Sequence, residues 1–152
     1  VLLYPEFNIE NLSKIMKTGN PNMGSILIEV GAGELVDKIT ILKIKVERMS
    51  DPSKLRNVKH ELDVLSHACS QNLVPSRELQ QLEDDLRKVN EALWVIEDDI
   101  RACEAQKDFG TKFIELARSV YIQNDKRAAI KKSINELSGS SIIEEKSYTE
   151  FS

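Results

Sequence analysis

The sequence predicts an all-α protein, an antiparallel helical bundle or a long helical hairpin whose third helix packs like a coiled coil. Three observations carry this. Aromatic residues make up 5% of the chain and charged residues 30%, the usage of long helices whose two faces meet different surroundings. Apolar residues recur at alternating steps of three and four through most of the chain, the spacing that lines one face of a helix. Short breaks rich in Pro, Gly, Asp and Ser separate these runs, and short connections favour antiparallel neighbours. At 152 residues the chain fits one domain, burying roughly two thirds of the surface its unfolded form exposes.

Residues 1–22 read as an N-terminal extension, with Met23 as a natural start. They carry a short helical pattern (Ile9, Leu12, Ile15, Met16) between a capping Asn8 and a terminating Gly19. A single helical domain follows over 23–148, with 149–152 as a C-terminal tail. Its first stretch, SILIEV at 25–30, is β-branched and reads as an extended segment or edge strand. The first long helix is expected at about 34–49, where Leu35, Ile39, Leu42, Val46 and Met49 form one stripe and Ile41 and Ile44 a second edge. A helix apolar around so much of its circumference should be the most enclosed. Asp51-Pro52-Ser53 ends it and caps the next, since Pro is tolerated in a first turn and Asp or Ser oxygens accept the free amide protons. That second helix, about 53–69, has the narrow stripe Leu55, Val58, Leu62, Leu65 and Cys69.

Pro75-Ser76 opens the third helix. Leu79, Leu82, Leu86, Val89, Leu93, Ile96, Ile100 and Cys103 keep an unbroken heptad rhythm, the seam of a coiled-coil-like packing. About 30 residues would make it roughly 45 Å long. Gly110 separates it from a fourth helix at 111–137, which stops at Gly139. Along the third helix Leu-Glu-Asp-Asp-Leu-Arg at 82–87 is echoed by Ile-Glu-Asp-Asp-Ile-Arg at 96–101. The repeat is two heptads, so Asp84 and Asp98 stand about 21 Å apart and cannot share a metal or a substrate atom. These clusters read as a solvated face, with Glu83–Arg87 and Glu97–Arg101 as i, i+4 pairs.

Several function classes lose ground. A formal charge of −4 argues against nucleic acid, whose binding rests on Lys and Arg neutralising phosphates. Cys69 and Cys103 lack metal-ligand spacing and read as reduced thiols of a cytoplasmic protein, a disulfide between them being the lesser alternative. No apolar run approaches the roughly 18 residues that a membrane span requires. His60, Asp63 and His67 share one side of the second helix, but the two histidines are about 10.5 Å apart along it, too far to ligate one zinc unaided. No metal site and no cofactor are expected, and Trp94 reads as cover for the edge of the core.

The fourth helix carries the candidate site. Its heptad from Phe113, Leu116 and Val120 continues through Gln123 and Arg127 before Ile130, Ile134 and Leu137. The stripe is apolar at both ends and polar in the middle, and a shifted frame still brings Tyr121 and Asn124 inward. Buried polar groups need partners. The polar stripe of the first helix offers them, so Glu34, Asp37, Lys38, Tyr121, Asn124 and Arg127 are expected either to line a pocket for a small anionic ligand or to form a salt-bridge network fixing helix register. Arg127 should pair with Asp37 or Glu34. Glu144, Glu145, Lys146 and Tyr148 lie in a tail that is either a lid over this cluster or loosely ordered.

The segments GELVDKITILKIK (33–45), LWVIEDDIRACEAQKDFG (93–110) and YIQNDKRAAIKKSINELSGSSIIEEKSY (121–148) resemble an uncharacterised family of short bacterial and phage-associated proteins classed only as a domain of unknown function. The resemblance runs from about Met23 to Tyr148. It implies a small cytoplasmic helical domain, linked in some genomes to cell-surface polysaccharide genes, and it supplies no reaction. Its pattern includes Gly33, Glu34, Leu35, Asp37, Lys38, Asn124, Asp125 and Arg127. With no nucleophile, metal-ligand or phosphate-loop motif in the chain, the expected role is a helical interaction or scaffolding module that forms a homo-oligomer, a homodimer, or docks on a protein partner. The alternative is a small all-α enzyme or anion-binding protein using the Glu34, Asp37, Lys38, Tyr121, Asn124 and Arg127 cluster. Helical folds such as the chorismate mutases bind dianions with these residue types, an analogy without matching spacing.

Overall fold

The computed structural model describes residues 24–149. The helical pattern expected over residues 9–16, the boundary at 22 and 23, and the last three residues lie outside that range. Four helices follow in order: α1 (Ala32–Arg48), α2 (Pro52–Asn72), α3 (Arg77–Gln106) and α4 (Thr111–Ser138). The fold is an all-α helical bundle.

Each helix begins and ends for a chemical reason. Asp51 accepts the amide protons of Ser53 and Lys54 at the head of α2, with Pro52 in the first turn, and Ser76 accepts that of Leu79 at the head of α3. Helices α3 and α4 close with the same device. In each, a residue with positive φ (Lys107 or Gly139) lets its own amide and that of the next residue bond back to the last-turn carbonyls, which satisfies groups the helix would otherwise orphan. Helix α2 runs past its expected end because no breaker intervenes before Pro75.

Of the two readings of SILIEV, an extended segment or an edge strand, the second does not hold. SILIEV at 25–30 forms no strand, and the described residues contain none. An edge strand needs a sheet to border, and here Ile26, Leu27 and Ile28 are exposed.

Helix α1 is the hub. It packs against all three other helices, α2 packs against α1 alone, and α3 and α4 form a hairpin. The core lies where α1 crosses that hairpin, built on Val36, Leu86 and Ile134 with Ala32, Leu73, Leu79, Leu82 and Ile130 around them. Along α3, α1 reaches from the Leu79 and Leu82 region of the core to Trp94, under Arg48, and along α4 it meets Arg127 and Asn135. Its 17 residues span about 25 Å, against about 45 Å for α3. Residues 95–122 therefore extend as a two-helix arm, closed by the turn at 107–110. The seam residues Ile96 and Ile100, with Phe113, Leu116 and Val120 opposite, are only half-buried there, whereas Leu86 is fully buried. Ile96, expected mid-seam and enclosed, is thus one of the arm's partly covered positions.

Candidate functional site

Helix α4 could not bury its polar middle against a purely apolar neighbour. At that point α1 presents Asp37, with only 1% of its side chain exposed. Arg127 reaches it from α4 and donates from Nε to Oδ1 at 2.9 Å and to Oδ2 at 3.1 Å, and from Nη2 to Oδ2. This fork geometry is what a guanidinium, unlike an ammonium, can offer a carboxylate. From α3, Asn90 donates its Nδ2 protons to Asp37 Oδ1 at 2.8 Å and Thr40 Oγ1 at 2.9 Å. The Thr40 hydroxyl in turn donates to the Asp37 carbonyl. Three helices thus meet on one carboxylate. Asn90 and Arg127 lie at about equal distances from the hairpin turn, so the network also sets the register of α3 against α4.

One turn away the head of α1 is bound to the end of α4. Gly31 caps α1 without a side chain, and the amide of Gly33 is served by the buried Asn135, whose Oδ1 accepts it at 2.7 Å. This approach leaves no room for a side chain on α1. A Cβ at Gly33 would stand 2.3 Å from the carbonyl oxygen of Lys131. The Lys131 ammonium then donates to Glu34 of α1 and to Glu144 of the strap formed by residues 140–149 after α4, both at 2.6 Å. Ion pairing thus ties the strap back onto the bundle.

The charges respond to these contacts. Hydrogen bonding to Asp37 raises the Arg127 guanidinium above its ordinary range, against the opposing effect of burial. Burial likewise works against the Lys131 ammonium, and its hydrogen bonds to Glu144 and Glu34 outweigh it and push the group up. The same bond from Lys131 holds Glu144 below the usual carboxylate range.

Of the six residues expected to form the cluster, Asp37, Arg127 and Glu34 converge on it. Lys38 turns outward to Glu61 of α2 at 2.8 Å, Asn124 is partly buried one turn before Arg127, and Tyr121 is exposed on the arm side. Sequence reasoning missed Thr40, Asn90, Lys131 and Asn135. Asn90 carried a usable signal, since it lies four residues after Leu86 and three before Leu93 on an apolar face. Every buried side-chain nitrogen and oxygen among the described residues has a partner. Two recesses in the surface lie elsewhere, one between the start of α3 and the end of α4 and one between α1, α2 and α3.

The other motifs resolve more simply. His60, Asp63 and His67 are exposed on α2, and no group of three or more His, Cys, Asp or Glu among the described residues is placed to hold a metal ion. Asp84 and Asp98 are exposed. Glu83 does not pair with Arg87, as the i, i+4 rule suggested. It is taken by Lys43 of α1, and Arg87 bonds Glu47 and Glu91 instead, so tertiary partners displace the local one. No helix among the described residues is long and apolar enough to cross a membrane.

All the residues of this junction fall inside residues 26–151, which match the model of DUF6165, a family of unknown function. The chain belongs to DUF6165. No curated protein and no solved structure matches it. For this DUF6165 chain, the arrangement of its own residues is therefore what bears on function. A buried carboxylate, the three N–H donors that meet it and the close approach that Gly33 allows hold α1 across the hairpin, and the chemistry on view is ion pairing and register.

Proposed function

We propose that the chain is a helical interaction module that self-associates through the 95–122 arm, with the Asp37 junction as the joint that holds the arm at a fixed angle. The observation that carries this is the contrast in cover. The junction is filled by its own side chains, while the arm leaves Ile114 55%, Phe109 50% and Val95 48% exposed, more apolar surface than a two-helix stalk needs. A second copy of the chain suits the charges. The α3 side of the arm carries Glu97, Asp98, Asp99 and Glu104 against Arg101, and the α4 side carries Lys112 and Arg118 against Glu115. Side-by-side pairing about a two-fold axis sets each acidic side against a basic one. Docking on a different protein partner is the broader form of the same reading. A cytoplasmic site of action and a link to cell-surface polysaccharide synthesis rest, respectively, on the reading of the cysteines as reduced and on the family resemblance.

The alternative, an anion-binding protein or small all-α enzyme built on Glu34, Asp37, Lys38, Tyr121, Asn124 and Arg127, draws support from the edge of Arg127 that reaches the surface, 28% exposed. Against it stand the carboxylates of Asp37, Glu34 and Glu144, which already occupy the two cations. Light scattering at tens of micromolar separates the readings. A dimer that becomes monomeric in Val95→Glu and Ile114→Glu, with no change in melting temperature on adding millimolar phosphate or citrate, is expected. A monomeric parent chain overturns self-association, and a saturable stabilisation by anion favours the alternative.

A further inference from the structure

The apolar stripe of α2 runs Leu55, Val58, Leu62 and Leu65, then dwindles to Cys69 and Ser70 at the point where the helix passes Val36 and Ile39 of α1. Large side chains there would close the gap between α2 and α3, which both lie on α1 and do not pack on one another. Small ones leave a recess of about 250 Å³ beside the core. Val36, Ile39, Leu73 and Leu79 supply its apolar walls, Ser66, Ser70, Ser76 and Gln80 its polar margin, and Lys43 and Glu83 form an ion pair across its edge. The recess opens to the surface on one side.

From this geometry we infer a binding site for a small, uncharged, largely apolar molecule of about the bulk of a bicyclic aromatic. Volume sets the size class. An apolar cavity of about 150 Å³ takes benzene, and pockets for drug-sized ligands start at about 300 Å³. Charge balance sets the chemistry. The Lys43 and Glu83 charges neutralise each other, so neither an anion nor a cation finds an unpaired counter-charge. Burial, and then the nearby Glu83 carboxylate, push the Cys69 thiol up, which keeps it protonated at neutral pH. It contributes a polarisable wall and reacts slowly with thiol reagents. The ion pair at the edge supplies one polar handle, which suits a ring N–H or a hydroxyl, while the apolar walls gain by leaving water.

Indole, titrated into the full chain, is the test probe. Two readouts serve: methyl NMR shifts of Val36, Ile39, Leu73 and Leu79, and the rate at which a thiol reagent labels Cys69, followed by peptide mass because Cys103 is buried. Saturable methyl shifts with at least a threefold slowing of Cys69 labelling are expected, and benzoate at equal concentration should do less. Cys69→Phe should fill the recess and abolish the methyl shifts while leaving the melting temperature equal or higher. Should that variant not fold, Ser70→Leu narrows the same space from the neighbouring position. Shifts that never saturate in the parent chain, or saturable binding that survives a folded filling variant, overturn the site. The oligomeric state plays no part in these readouts, so the test stands apart from that of the arm.

Discussion

The junction and the arm are built from the same two helices and differ in almost everything that matters energetically. At the junction α3 and α4 have a third helix laid across them, so Leu86 and Ile134 are fully buried and Asp37 can be charged out of water because Arg127 and Asn90 meet it. In the arm the same heptad rhythm continues with no third element, and Ile96 and Ile100 are half-covered, with the smaller Cys103 the buried seam position near the turn. Periodicity therefore marks which side chains face inward. It does not say how far inward, which depends on what else arrives.

The sharpest way to break the comparison is to strand the buried charge. Arg127→Met leaves the Asp37 carboxylate desolvated with Asn90 as its one side-chain donor, and should cost about 3–5 kcal/mol by chemical denaturation. Asp37→Leu should cost less, because Arg127 is already partly exposed and can turn to water. The double variant should recover part of the loss relative to Arg127→Met. Single variants as stable as the parent would remove the junction from the explanation of the fold. Gly33→Ala drives a Cβ into the Lys131 backbone and should cost about 3 kcal/mol, the upper end of ordinary overpacking. An unchanged melting temperature would mean that α1 and α4 separate freely.

The next contrast is within one seam. Leu86→Ala should cost about 2–5 kcal/mol. Ile100→Ala, on the arm, should cost roughly half as much in the monomer because its side chain is already partly in water. Equal losses in thermal melts would deny that the arm is less enclosed. Asp84→Ala and Asp98→Ala, both on the solvated face, should lie within about 0.5 kcal/mol.

The smallest effect concerns the strap. Glu144 has a folded pKa below its ordinary value, so its contribution is complete above about pH 4.3, the usual Glu value, and is lost as pH falls through the depressed folded value. Lys131 has a raised folded pKa, so its contribution is present below about pH 10.4 and is lost as pH rises through the raised one. With Glu144 about half exposed, Glu144→Gln should cost less than about 1 kcal/mol and should remove the acid-side loss of strap protection in hydrogen exchange. A parent strap that exchanges at the same intrinsic-corrected rate on both sides of that acid window would contradict the tie.

How much of this was legible in the sequence varies by residue. The four helices were readable because Pro52, Pro75 and Gly110 punctuate stripes of regular period. The pairing of Arg127 with α1 was readable because a guanidinium interrupting an apolar stripe needs a carboxylate. What could not be read was the crossing of α1 over the hairpin. Only that crossing brings Asn90 to Asp37 and Asn135 to Gly33 and takes Glu83 from Arg87, while the docking of α2 on α1 sends Lys38 to Glu61. Local spacing has no term for a third helix. The β-branched run at 25–30 left an extended segment and an edge strand both open for a related reason, since β propensity becomes a strand only where a neighbouring strand exists.

Hydrogen exchange followed by mass spectrometry at rising protein concentration tests most directly the division between a self-contained junction and an arm that meets a second copy. Amides over 95–122 should gain protection between about one and tens of micromolar, the range in which a weak dimer fills, while those of α1 and of the α4 segment around Arg127 stay constant. Arm protection that does not change with concentration, or a gain located at the junction instead, would contradict it.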